Sequence, residues 1–305
     1  MTEPVKYKAN GKLLISGEYL VLHGALSFAL PLRFGQQMQL SPSAGPVIRW
    51  TSSDPHGTWY RAEFNLPGPV KANPGREDMF ILRLLEAAGR LNPAFAAGLQ
   101  GTGVSVDANY PVQWGLGSSS TLIYLVACWA DVNPFRLFTM VSKGSGYDLA
   151  CAGRSNPLLF SHKGDEIMIR DITPGKGIRE HALFAWLGNK QSTDTEIDLF
   201  LETANPAPTD LALMDLLTLK IATADTADEL QEQVLRHESL LARILQREPL
   251  SARLEDFPGA VKSLGAWGGD FAMFVTRQPK ETILPWFREK EIYPVFTFDE
   301  IIASK

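Results

Sequence analysis

The first half of the chain alternates short apolar runs with clusters of Gly, Pro, Ser and Asp, which predicts strands joined by turns. The strand candidates are 13–15, 19–22, 28–32, 36–40, 47–51 and 59–64. The period changes at 78–90, where Phe80, Ile81, Leu84, Leu85 and Ala88 fall on one helical stripe. Val104 and Val106 alternate with polar neighbours and predict another strand, and the apolar run 121–129 predicts a buried helix. Asn133 and Pro134 supply an N-cap and a first-turn proline for a shorter helix that Gly144 closes. Residues 157–172 return to strands. From Thr173 the texture changes again. A strand at 181–187 precedes three amphipathic helical stretches, 194–203, 209–222 and 226–246. A strand at 271–275 follows Gly268 and Gly269, and the chain finishes on 293–301. Strands with helices inserted between them, few in strict βαβ order, predict an α+β protein of two lobes with a boundary near 172–180.

The 305 residues are enough for one large or two modest domains, and 45% hydrophobic with 21% charged content is globular. The formal charge of −5, with no Lys/Arg run longer than two, argues against a sequence-independent nucleic-acid binder. Cys128 and Cys151 make neither a disulfide framework nor a metal set. The polar start of the chain lacks a signal-peptide core. The stretch 19–32, interrupted by His23, Gly24 and Ser27, is too short to span a bilayer. A cytoplasmic chain, monomer or homodimer, with no nucleic-acid or membrane partner, is the expectation.

Residues 111–120 carry the most chemistry. Gly115 and Gly117 bracket Leu116, and Ser118, Ser119 and Ser120 open the apolar run. Glycine lets backbone approach a ligand, and a helix start presents unpaired N–H groups at the positive end of its dipole. Such a turn is an anion site, with phosphate the usual guest, or simply a capped turn. Neither G-x-x-x-x-G-K-[ST] nor G-x-G-x-x-G occurs, so the two common phosphate loops are excluded.

The string resembles the nucleotide-binding motif of the GHMP kinases, P-x-x-x-G-L-G-S-S-A, with Ser120 in place of Ala. Three further strings resemble that family in the same order. Residues 8–19, with Lys12, Glu18 and Tyr19, resemble A-P-G-K-x-x-x-x-G-E-[HY], with Asn10 in place of Pro. Residues 144–150, with Ser145 and Asp148, resemble the G-S-G-[FY]-D-[VI]-A run of phosphomevalonate kinases, and match bacterial GHMP kinases marked by G-Y-D-I-A. Residues 262–271 resemble K-x-[ST]-G-A-G-G-G-[GD]-C, with Trp267 at the central Gly and Phe271 at the Cys. The loop with Lys190, Ser192 and Thr193 is similar to one that ends in A-S-T in phosphomevalonate kinases.

The resemblance implies a two-domain fold: a ribosomal protein S5 domain 2-like N-terminal domain, 1–175, and a ferredoxin-like C-terminal domain, 176–305. It implies an ATP- and Mg²⁺-dependent kinase acting on mevalonate or phosphomevalonate. Sugar or amino-acid kinases and a non-catalytic binding protein are the alternatives. Gly115, Leu116, Gly117, Ser118, Ser119 and Ser120 would hold the phosphates with Gly265, Ala266, Gly268 and Gly269, and Ser119 would ligate Mg²⁺. Asp148 would accept the proton from the acceptor oxygen, with Lys12 stabilising it. Glu18, Tyr19, Ser145, Lys190, Ser192 and Thr193 would bind the acceptor. The chain departs from mevalonate kinases in one respect. They carry a Mg²⁺-binding Glu about three helical turns before the catalytic Asp, and here no Asp or Glu lies between Val132 and Tyr147.

Overall fold

The computed structural model of the chain describes residues 5–66, 68–69, 73–188, 193–265 and 270–303. Two sheets organise them. The larger is built from β1 (Val5–Ser16), β2 (Ser27–Pro42), β3 (Ile48–Asp54), β4 (Gly57–Asn65), β5 (Gly68–Pro69), β6 (Thr102–Ala108), β7 (Leu158–Lys163) and β8 (Glu166–Asp171). Its order is β5-β4-β3-β6-β2-β7-β8, with β1 also on β2. It is mixed, because β3 runs parallel to β6 while β2 and β4 pair antiparallel with their neighbours. The smaller sheet is antiparallel, in the order β10 (Ala260–Leu264), β11 (Phe271–Val275), β9 (Ala182–Trp186) and β12 (Val295–Thr297).

The chain forms two compact units. The first holds residues 1–11, 34–112 and 116–154, and the second holds 12–33, 113–115 and 155–305. β1 and β2 each have residues in both units, so the chain passes from one to the other several times. In the first unit α1 (Arg76–Leu91), α2 (Pro93–Ala97), α3 (Ser118–Trp129), α4 (Pro134–Val141) and α5 (Tyr147–Ala152) accompany the strands. Its core sets Ile81, Leu84, Leu85 and Ala88 of α1 and Leu122, Ile123, Leu125 and Val126 of α3 with Trp50, Phe64, Val104 and Val106 of the sheet. Helix α3 is apolar nearly all round, as expected of a buried helix.

The second unit adds α6 (Lys176–His181), α7 (Thr193–Thr203), α8 (Pro208–Thr223), α9 (Ala227–Leu245), α10 (Leu250–Arg253), α11 (Lys280–Glu289) and α12 (Phe298–Ile301). Leu183, Ala185, Ala272, Phe274, Phe257, Ile283 and Phe287 form one core there. Tyr19 and Leu20 join Phe200, Met214, Leu217, Leu240 and Leu241 in another. Helix α9 starts with a capping box, Thr226 accepting from the Glu229 N–H and Glu229 accepting from that of Thr226.

Several elements differ from expectation for local reasons. The strands expected at 28–32 and 36–40 are one, β2, because Gly35 is a close-approach residue and not a turn. A Cβ there would lie 2.1 Å from the Ala9 carbonyl oxygen of β1. Residues 19–22 give a 3₁₀ turn, Leu20–His23, in place of a strand, with Tyr19 at φ 59°. Helix α4 stops at Val141, before Gly144, because Ser142 is extended. Asp148, assigned to no element by pattern, opens α5.

Candidate active site

The phosphate-loop segment has the conformation its glycines anticipate, with one change of role. Gly117, at φ 91° and ψ 33°, is the N-cap of α3, so the serines are the first three helical residues rather than the cap. A glycine cap offers no side-chain oxygen, which leaves the first-turn N–H groups available to an external acceptor. Leu116 is fully buried and pins the loop, whereas Ser119 is exposed and Ser118 and Ser120 are half-buried. Thr121 is buried behind them, and its hydroxyl donates to Gln36 Oε1 of β2 at 2.5 Å. Gly11, inside β1, lets the Leu116 carbonyl pack against the strand: a Cβ there would lie 2.8 Å from that oxygen. Lys12 is a half-buried residue within β1, which starts at Val5, well ahead of the strand expected at 13–15.

The start of the loop belongs to the second unit. Trp114 packs among Trp186, Phe271 and Phe296, with ring centroids 6.4, 6.1 and 5.9 Å away. Gly115 follows at φ 71°, and the Asp270 carboxylate occupies the space of its missing side chain. Asp270 and Trp114 were not expected as site residues. Their only sequence signals were the Asp of the last motif and an aromatic immediately before the first glycine.

Asp148 lies in the first turn of α5 and is half-buried, and Ser145 is buried just before it. Both belong to the first unit, and Lys12 to the second. Gly265 ends β10 at φ 75° with open space at its side-chain position. Ala266, Trp267, Gly268, Gly269, Lys190 and Ser192 lie outside the described residues, and Thr193 opens α7.

The first and last motifs meet where no contact was expected. Glu18, only 2% exposed, pairs with the ammonium of Lys262, which is wholly buried in β10 and also donates to the Ser263 carbonyl at 2.8 Å. His237 of α9 places Nε2 3.1 Å from the same carboxylate and accepts the Gly17 N–H at 3.4 Å. Burial opposes ionisation of Glu18, but Lys262 and His237 outweigh it and hold the carboxyl down at about 2. Burial, helped by the Lys262 charge, lowers His237 to about 4, so its imidazole is neutral at pH 7 and its contact with Glu18 is not an ion pair. Glu238, beside it on α9, is pushed up to about 8 by burial and stays protonated at pH 7. These groups amount to one cation, one anion and two neutral acids or bases. Glu18 is thus a buried carboxylate paired with Lys262 within the second unit. Tyr19 is buried too, its ring 5.0 Å from that of Phe200.

Among the described residues no three or more His, Cys, Asp or Glu side chains are grouped to hold a metal. No helix of the described residues is long and apolar enough to cross a membrane.

No protein-family model matches the chain, and no curated protein matches it in sequence. Solved structures match it along nearly its whole length. Streptococcus pneumoniae phosphomevalonate kinase, in complex with phosphomevalonate and AMPPNP, is 16% identical with a TM-score of 0.74, over 96% of this chain and 100% of its own. Methanococcus jannaschii mevalonate kinase is 12% identical with a TM-score of 0.69, over 99% of each chain. Lactococcus lactis galactokinase, complexed with galactose, is 12% identical with a TM-score of 0.66, over 99% of this chain and 94% of its own. The chain has the α+β, two-domain fold of the GHMP kinases. At these identities the likeness is one of fold.

Two outcomes follow from the buried network. Lys262→Met strands the Glu18 charge and should cost about 3–5 kcal/mol of stability in urea unfolding. The double variant with Glu18→Gln should cost less than that single change, because no charge is left buried alone; strictly additive losses would refute the pairing. The second outcome concerns pH. Glu238 binds its proton more tightly folded than unfolded, so stability should fall as pH rises between about 4.5 and 8. His237 binds its proton less tightly folded, which raises stability with pH between about 4 and 6.5 and offsets that fall there. A net decline therefore remains from about 6.5 to 8, and Glu238→Gln should flatten it in thermal melts across that range.

Proposed function

We propose that the chain is an ATP- and Mg²⁺-dependent kinase that phosphorylates a small molecule, with mevalonate or phosphomevalonate as acceptor. The observation that carries the reading is the glycine-capped start of α3, with Gly117 at φ 91°, no side chain closing the first turn and Ser119 exposed. Backbone N–H groups of 117–120 bind phosphate oxygens, and Ser119 with those oxygens holds Mg²⁺. When bound, the ion neutralises charge on the transferred phosphoryl group. Asp148 takes the proton from the acceptor hydroxyl, and the Lys12 ammonium meets the charge developing on the phosphoryl oxygens. Positioning and electrostatics supply most of phosphoryl-transfer catalysis, so this small set of groups is sufficient. The mevalonate branch is favoured over sugar and amino-acid acceptors by the Gly-Ser-Gly-Tyr-Asp run ending at Asp148 and by Asp270 after its glycines. Likeness of fold to the phosphomevalonate and mevalonate kinases is consistent with it.

ADP release measured with mevalonate, phosphomevalonate, galactose and homoserine tests the proposal directly. Turnover with galactose or homoserine alone would move the chain to another branch, and no turnover with any of the four would count against this class of kinase.

Three substitutions probe the roles. Asp148→Asn keeps shape and removes charge, so kcat should drop by about 10²–10⁴ while ATP still binds. Wild-type turnover in the folded variant refutes that role. Gly117→Val sets a β-branched residue at positive φ against the phosphates, so the folded variant's melting temperature should no longer rise with Mg-ATP. A retained rise removes the loop from nucleotide binding. Lys190→Ala should raise KM for phosphomevalonate about tenfold, the loss expected from one charge-assisted contact, and leave mevalonate nearly unaffected. The reverse pattern excludes phosphomevalonate as the acceptor.

A further inference from the structure

The two ends of the larger sheet are finished differently. At one end β5 is a strand of two residues, Gly68–Pro69, and so short a strand with a proline gives another chain little to pair with. At the other end β8 runs for six residues, Glu166–Asp171, in unbroken register with β7 and without a proline or a bulge. Ile167 and Met168 are 37% and 38% exposed, and Ile169 is half-buried. Among the described residues β7 is the only strand beside β8. Both strands lie wholly within the second unit.

One bond fixes which main-chain groups of β8 face the open side. The Ile172 N–H donates to the Pro157 carbonyl at 2.9 Å, so residue 172 turns its main chain toward β7. Along an antiparallel strand that direction alternates. Arg170, Met168 and Glu166 therefore face β7, and Ile169 and Ile167 direct their N–H and C=O groups to the open edge. Side chains alternate as well, which sets Glu166, Met168 and Arg170 on one face of the sheet and Ile167 and Ile169 on the other. Glu166 and Arg170 are exposed and make no ion pair among the described residues. Four positions apart, they are about 13 Å from each other along the strand and out of mutual reach. The run Glu-Ile-Met-Ile-Arg is apolar in the same order read from either end, with opposite charges at its two ends.

We infer that two copies of the chain pair along β8, antiparallel about a two-fold axis at Met168. That register opposes Met168 to its counterpart, Ile167 to the partner's Ile169 and Glu166 to the partner's Arg170. The outward-facing residues Ile167 and Ile169 then meet their equivalents as hydrogen-bonded pairs, and each end of the run gains a cross-strand pair of opposite charge. A shift of one residue would set main-chain groups that face β7 against the partner's open edge. The neighbouring registers that keep the phase oppose Met168 to Glu166 or to Arg170 and lose both ion pairs. The contact is isologous and consumes the same edge on both copies, so it closes as a dimer and does not propagate.

Sedimentation equilibrium of the full chain at rising concentration tests the pairing. One strand pair is a small interface, so the wild type should pass from monomer to dimer in the micromolar range. Ile169→Pro removes an outward N–H and leaves the ladder to β7 intact, so it should melt near the wild-type temperature and stay monomeric. Glu166→Arg and Arg170→Glu each oppose like charges at both ends and should weaken the dimer at least about tenfold. Mixed in equal amounts, these two variants oppose Arg to Glu at both ends and should form a heterodimer at close to wild-type affinity. That restoration depends on the register and decides the matter if Ile169→Pro does not fold. A wild type that stays monomeric throughout, a dimer that survives in folded Ile169→Pro, or a mixture no tighter than either charge variant alone overturns the inference.

Discussion

The buried pair of Glu18 and Lys262 is the constraint around which the second unit is arranged. Two charges removed from water cost several kcal/mol each, and only close opposition with further hydrogen bonds offsets that. The turn after β1 brings Glu18, and β10 brings Lys262, whose ammonium also donates to the Ser263 carbonyl. Helix α9 sets the neutral His237 imidazole beside the carboxylate, but its Nε2 accepts the Gly17 N–H, and Glu18 Oε2 has no hydrogen-bond donor among the described residues. The pair holds only if the turn, the strand and the helix are all in register. Two of them lead toward candidate site residues: the turn follows β1, which holds Lys12, and β10 is followed by Gly265. Neutral His237 and protonated Glu238 keep the cluster from carrying a second uncompensated charge.

The phosphate loop is held by a different kind of physics. Its middle is anchored by apolar burial of Leu116 and by the backbone approach that Gly11 permits. Its beginning is fastened by the rings around Trp114. Gly115 and Gly117, on either side of Leu116, take left-handed conformations, and Gly117 caps α3 without a side chain.

Much of this architecture is legible in the residues. Helix α1 is announced by its stripe, α9 by a stripe and a capping box, and β3, β4, β6 and β11 by apolar runs between turn residues. What escapes is decided by contacts far away in sequence. Gly35 looks like a turn until the Ala9 carbonyl is seen against it, so one long strand reads as two. Helices α5, α6 and α10 are too short to show a period, and α11 carries Pro285 inside it. In the candidate site, motif spacing says nothing about which of two carboxylates is buried. Glu18 reads as an acceptor ligand because its string does, whereas Lys262 and His237 lie 244 and 219 residues further along. Asp270 is equally invisible as a partner of Gly115, 155 positions before it.

That sequence separation between Glu18 and Lys262 has a consequence for the newborn chain. At roughly 5–20 residues per second, Glu18 leaves the ribosome on the order of 10–50 s before its counterion has been made. Throughout that interval the carboxylate must remain hydrated, and the apolar residues that follow it, Tyr19 to Leu22, wait without the helices that cover them. Residues 19–22 gain their cover only once α8 and α9 have been made, and the Glu18 charge can leave water only after Lys262 exists to meet it.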